Sequence, residues 1–132
     1  MDDTLYESEL VTVTYSKEER LTEMVWKKDT DSAEYRKTFQ AIVEFAEKNK
    51  VNYVLSDMRK EGLVKTEDVK WLELEVLKKA IAYGVLKIAL VAEDTVFSTI
   101  YAETVKRKLR ESPIEVRIFG DVTSAKSWLL AE

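Results

Sequence analysis

The chain has 132 residues, of which 45% are hydrophobic, and its 25 acidic and 21 basic residues give a net charge of −4. This length and apolar content fit one domain over residues 1–132, and the even spread of both charges argues against nucleic-acid binding. The sequence has no Cys and no His, which excludes disulfides, thiol nucleophiles and imidazole-based catalysis or metal sites.

The amino-terminal residues do not resemble an export signal. Residues 1–4 are partly acidic, and no continuous apolar run follows them. No stretch approaches the ~20 apolar residues that span a bilayer. We therefore expect a cytoplasmic protein without a transmembrane segment.

The first predicted elements are two strands. Residues 10–15 alternate apolar side chains with threonine, which is typical of a half-buried strand, and this first strand could begin as early as Leu5. Residues 20–26 form a second extended run, and the short gap between the runs predicts an antiparallel hairpin. The side chains expected to face the core are Val11, Val13, Tyr15, Met24 and Trp26.

A helix is predicted to follow the hairpin. Asp31 and Glu34 have the spacing of a capping box, in which Asp31 accepts a free amide hydrogen and Glu34 reaches back. The helix should end near Asn49 and be followed by a strand over residues 52–57. Its expected apolar stripe consists of Tyr35, Phe39, Ile42, Val43 and Ala46.

A second, longer helix is predicted to begin at Thr66 as its cap. Glu67 and Asp68 then lie in the first turn, where the helix dipole favours negative charge, and Gly84 suits a left-handed end. The stripe expected to face the sheet consists of Val69, Leu72, Val76, Ala80 and Tyr83.

This second helix also carries apolar residues outside that stripe, namely Trp71, Leu74, Leu77 and Ile81. Partly exposed large aromatic residues are typical of protein interfaces. The alternative is that the third helix, or the loop of residues 60–65, covers these side chains within the same chain.

Residues 87–92 are almost continuously apolar, which predicts a central parallel strand buried on both faces. A third helix, capped by Thr95, should end before Pro113. Its apolar positions are Phe97, Ile100, Tyr101, Val105 and Leu109. Its last turns carry Lys106, Arg107, Lys108 and Arg110, which we interpret as cations that complement the helix carboxyl end.

The last two elements are a strand over residues 115–119 and a short helix that begins at Asp121 or Thr123. The buried side of that helix is expected to be Ala125, Trp128 and Leu129. The predicted class is therefore α/β, in the order β-β-α-β-α-β-α-β-α. An amino-terminal antiparallel hairpin joins parallel strands in a mixed sheet, and helices cover the sheet.

This succession of elements, with residues 55–59, 88–91 and 116–129, resembles the STAS-like proteins, small bacterial relatives of the anti-sigma-factor antagonist that controls sporulation. The resemblance implies a cytosolic domain of the STAS and SEC14-like superfamily, without catalytic activity or cofactor, that binds a protein or a ligand. True antagonists are phosphorylated on a serine at the start of the second helix. Here Thr66 is the only hydroxyl near that place, and the acids after it disfavour an added phosphate.

Asp57 and Arg59 leave a strand at its carboxyl end, which is where open α/β sheets bind ligands. We interpret them first as an ion pair that fixes the loop, with ligand binding as the alternative. Together with the residues of the second helix, they complete the candidate binding set. The set consists of Asp57, Arg59, Thr66, Trp71, Leu74 and Ile81, with no catalytic residue and no metal ligand.

Three functions follow from these residues. The leading hypothesis is a non-catalytic STAS-like protein-interaction module, expected to form a homodimer. The alternative is a carrier or sensor of a lipid or other apolar small molecule, held between the second and third helices as in SEC14-like relatives. An enzyme would have only Asp57, Arg59, Tyr83 and Tyr101 to work with, because helix-start charge explains most of the adjacent acids.

Overall fold

The computed structural model of the chain describes residues 2–93 and 96–131. These residues form a mixed α/β fold with one six-stranded sheet and four helices. The strands are β1 (Asp3–Glu7), β2 (Val11–Ser16), β3 (Leu21–Trp26), β4 (Tyr53–Asp57), β5 (Lys87–Val91) and β6 (Glu115–Phe119). The helices are α1 (Ser32–Lys48), α2 (segments Thr66–Trp71, Leu72–Leu77 and Lys78–Ala82), α3 (Val96–Lys108) and α4 (Val122–Leu129).

The predicted order of elements was wrong at its start, because β1 precedes the expected hairpin. The strand pairs antiparallel with β2 and contains an irregularity between Thr4 and Tyr6. The element order is therefore β-β-β-α-β-α-β-α-β-α, and β1 forms one edge of the sheet. The strand has only two large apolar residues, Leu5 and Tyr6, so the sequence shows no strand pattern there.

The strands lie in the sheet in the same order as in the chain. The β2–β3 pair is antiparallel, whereas β3 to β6 pair in parallel. Every crossover therefore advances the sheet in one direction, and right-handed crossovers place α1, α2 and α3 on one face. Two hydrophobic cores result, a large one beneath these three helices and a small one beneath α4.

The hairpin was predicted correctly. Val11 lies opposite Trp26, and Val13 lies opposite Met24, in an unbroken register. All five side chains predicted to face the core are buried there.

The predicted helix starts are confirmed in part. Asp31 accepts a hydrogen bond from the backbone amide of Glu34 at 2.8 Å, as expected. The carboxylate of Glu34 accepts from the hydroxyl of Tyr6 at 2.6 Å instead of reaching back, which raises the pKa of Tyr6 to about 12. Thr66 is not a cap, since it is the first helical residue of α2 and Lys65 precedes it without a side-chain cap bond.

Helix α2 contains a π-helical segment, Leu72–Leu77, between two α-helical ones. The wider turn shifts the side chains that follow it around the helix. Leu77 is consequently buried in the large core, which corrects its predicted place outside the buried stripe. Gly84 adopts the expected left-handed conformation, with φ of 92°.

The carboxyl-terminal helices differ from prediction at two described positions, because Trp128 is only partly buried and Ile100 is exposed. Val105 and Leu109 are buried as expected, but Ile100 is 60% exposed. The predicted cap Thr95 and the side chain of Phe97 lie outside the described part of the chain. Asp121 caps α4 by accepting from the amide of Ser124 at 2.7 Å.

Candidate functional site

The predicted ion pair at the carboxyl end of β4 is formed. Asp57 is buried, and Arg59 donates to its two carboxylate oxygens from Nε and a terminal nitrogen, each at 2.8 Å. The hydrogen bond and the charge of Asp57 raise the pKa of Arg59. Because the guanidinium occupies both carboxylate oxygens, the pair fixes the loop that follows β4.

A polar hollow of about 260 Å³ lies beside this pair. Lys27, Lys60 and Glu93 contribute to its walls together with Asp57 and Arg59. Charges of both signs are mixed there, so the hollow does not select an anion or a cation. Thr66 is exposed and lies outside this lining.

Trp71 is half-buried, because α1 covers one side of its ring. The guanidinium carbon of Arg36 lies 5.3 Å from the ring centroid, and Tyr35 meets the ring edge-on at 6.4 Å. These contacts within the chain account for much of the surface that sequence analysis assigned to a partner.

The predicted second apolar strip of α2 is therefore divided. Leu77 is buried and Trp71 is half-covered, whereas Leu74 is 59% exposed and Ile81 is 37% exposed. Beside them, Lys108 of α3 pairs with Glu73 at 3.2 Å. Only Leu74 and Ile81 of the strip remain open to solvent.

Asp68 has a structural role that the sequence did not reveal. Its side chain is buried, and it accepts from Arg36 Nε at 2.9 Å and from the hydroxyl of Ser32 at 2.6 Å. The two partners lie on α1, so this carboxylate joins α1 to the start of α2. Charge at a helix start would not by itself require burial.

The burial of Glu61 was not expected from the sequence. It is 1% exposed, and neither carboxylate oxygen has a hydrogen-bond partner among the described residues. Burial raises the pKa of Glu61 well above its ordinary value of 4.5, because the charged form loses its hydration. In the sequence this residue lies in a polar loop, and no local pattern marks it as buried.

Two tyrosines adjoin Glu61. The hydroxyls of Tyr35 and Tyr101 are hydrogen-bonded to each other, joining α1 to α3. Burial raises the pKa of both phenols well above 10, and the nearby charge of Glu61 adds to the shift. Both phenols therefore stay protonated and neutral at physiological pH.

A cavity of about 80 Å³ lies between the sheet and the three helices of the large face. Its walls come from β3, β4 and β5 on one side and from α1, α2 and α3 on the other. The lining is apolar except for Ser56, Tyr83 and Tyr101. Leu72, Val76 and Leu77 of the π-helical segment form part of this wall.

The cavity and the polar hollow differ in what they could hold. Apolar cavities of this kind take up small apolar molecules, and a void of roughly 150 Å³ is known to hold benzene. The present cavity is about half that size, so it suits a small molecule or one part of a larger one. The π-helical segment is relevant because such turns are frequent at functional sites.

The described residues contain no cluster of three or more Asp or Glu side chains that could hold a metal ion. Within residues 2–93 and 96–131, no helix has both the length and the apolar character needed to cross a bilayer.

The chain matches no family model, no curated protein and no solved structure. The resemblance to STAS-like proteins stays a prediction.

Proposed function

We propose that the protein is a non-catalytic STAS-like binding module that holds an apolar small molecule between the sheet and the helices α1, α2 and α3. The observation that carries this proposal is the apolar cavity of about 80 Å³ beneath those helices. The π-helical wall supports it, since π-helical turns are frequent at functional sites. The function is that of a carrier or sensor.

Benzene and xenon are suitable probes, because both enter dry apolar cavities. Titration followed by NMR should shift the methyl signals of cavity residues such as Val76, Ile88 and Val105. Native mass spectrometry of freshly purified protein should in addition show a retained ligand.

A matched pair of variants tests the location of the bound molecule. Ala80 lines the cavity, and Ala80→Leu should fill it and abolish the benzene-induced shifts. Ala82 is exposed on the same helix, so Ala82→Leu should leave benzene binding unchanged. Equal binding to both variants, or no binding of either probe to the wild type, would contradict the proposal.

The second candidate function is that of a protein-interaction module, and a separate observation supports it. Leu74 and Ile81 are exposed on α2, seven residues apart, beside the half-buried Trp71. We propose a second copy of the chain as the occupant of this surface, as expected for a homodimer. Both side chains are open to solvent on α2, as a docking surface requires.

Light scattering tests this candidate function, because it measures whether the protein is a monomer or a dimer. Leu74→Lys should convert a dimer to a monomer, because the charge would be desolvated in the interface. Leu130→Lys is the matched control, since Leu130 is also an exposed leucine but lies at the end of α4. Trp71→Ala tests the same surface, although it also removes contacts with α1. A monomeric wild type would exclude self-association.

A further inference from the structure

One small polar residue, Ser56, forms part of the cavity floor at the middle of the sheet. It lies on β4, where its register neighbours are Met24 on β3 and Leu90 on β5, and both of these also line the cavity. A buried parallel strand ordinarily carries Val, Ile or Leu at such a position. Serine therefore leaves room where a larger side chain would fill the space.

The hydroxyl of Ser56 is available to a molecule in that space. The residue is buried, with 7% of its surface exposed, and it lies on an inner strand of the sheet. No hydrogen bond joins its side chain to any other described residue. Because Ser56 lines the apolar cavity, a ligand group that forms a hydrogen bond with its hydroxyl gains free energy on binding.

The cavity lining also selects by charge. None of the described residues that line it is charged. A carboxylate or an ammonium group that entered would lose its hydration without gaining an opposite charge.

We infer that the ligand is a neutral molecule, apolar except for one hydroxyl or carbonyl group, and that Ser56 is its hydrogen-bonding anchor. This inference rests on the proposed function and narrows it to a class of ligand. A ligand that would have to place a carboxylate inside the cavity falls outside this class.

Benzene and phenol are matched probes, because they differ by one hydroxyl and phenol is neutral at pH 7. Ser56→Ala removes the hydroxyl of the anchor and preserves the cavity. We expect phenol affinity to fall about three- to tenfold in this variant, the usual value of one hydrogen bond, and benzene affinity to change less than twofold. Benzoate should not bind measurably to the wild type.

Two further variants complete the experiment. Ser56→Val should abolish the binding of phenol and benzene, because its extra methyl groups occupy the cavity. Ser16 is another buried serine, on the opposite face of the sheet, and Ser16→Ala should leave both affinities unchanged. Circular dichroism checks that each variant is folded.

The outcomes separate this inference from the proposed function. If the wild type binds neither probe, both fail. If benzene binds but Ser56→Ala weakens phenol no more than benzene, only the anchor role of Ser56 fails. If benzoate binds as tightly as phenol, the restriction to neutral ligands fails and the apolar cavity is retained.

Discussion

The two faces of the sheet are packed in different ways. The small core beneath α4 contains residues that are almost completely inaccessible, among them Leu55, Ala89, Ala125 and Leu129 at 0% exposure. The large face contains the cavity, the π-helical segment and Glu61, whose carboxylate has no hydrogen-bond partner among the described residues. Close packing stabilises a fold, whereas unfilled space and unpaired polar groups lower stability. The cavity proposed to bind the ligand therefore lies on the face that departs from ideal packing.

The largest expected effect comes from the same truncation on each face. Leu129→Ala should lower the free energy of unfolding by about 3–5 kcal/mol, since the small core is closely packed. Leu77→Ala should cost about 2–3 kcal/mol, because Leu77 already borders the cavity and loses fewer contacts. Urea denaturation measures both values. An equal or larger cost for Leu77→Ala would remove the contrast between the faces.

The second prediction concerns the pH dependence that Glu61 contributes to the large face. Its pKa is raised in the folded state, so the folded protein holds a proton that the unfolded chain releases above about pH 4.5. Its contribution to stability therefore falls as pH rises, by up to about 1.4 kcal/mol per pH unit, until the folded-state pKa is passed.

Glu61→Gln should remove this dependence. The stability of the variant relative to the wild type should increase between pH 5 and pH 7, as measured by denaturation at each pH. Glu67→Gln is the control, because Glu67 is exposed at the start of α2 and should show no such trend. A constant difference between Glu61→Gln and the wild type would show that Glu61 is charged in the folded protein throughout this range.

The smallest expected effect compares helix starts on the two faces. Asp121 caps α4 with bonds to both the amide and the hydroxyl of Ser124, and these bonds lower the pKa of Asp121. Asp121→Ala should lower the melting temperature modestly, and the difference from the wild type should diminish as pH falls through the Asp121 pKa. Thr66→Ala should have no measurable effect, since Thr66 makes no cap bond at the start of α2. The reverse result would contradict both cap assignments.

Local sequence patterns predicted those strands and helices whose formation depends mainly on residues that are close in the sequence. Alternation in residues 10–15 identified β2, and the Asp31 signal placed the start of α1. Strand β1 was missed because Leu5 and Tyr6 are its only large apolar residues. It forms by pairing with β2, and a sequence pattern does not report pairing.

The candidate site was less accessible to sequence analysis. The ion pair of Asp57 with Arg59 was predicted because the two residues are adjacent to one strand end. The burial of Glu61 and the cavity above Ser56 depend on how distant segments pack, and neither has a periodic signal. The change of helical period after Trp71 likewise moved Leu77 from the expected surface into the core.

The agreement between strand order and chain order has a consequence for synthesis. As the chain leaves the ribosome, each new strand finds its partner already made, so assembly can proceed from the amino terminus without waiting for later segments. Every incomplete chain would then present one unpaired parallel strand at its growing side, which is the surface a chaperone would have to protect. Translation of β6 ends that exposure for the inner strands, and α4, which follows β6, then covers the small core.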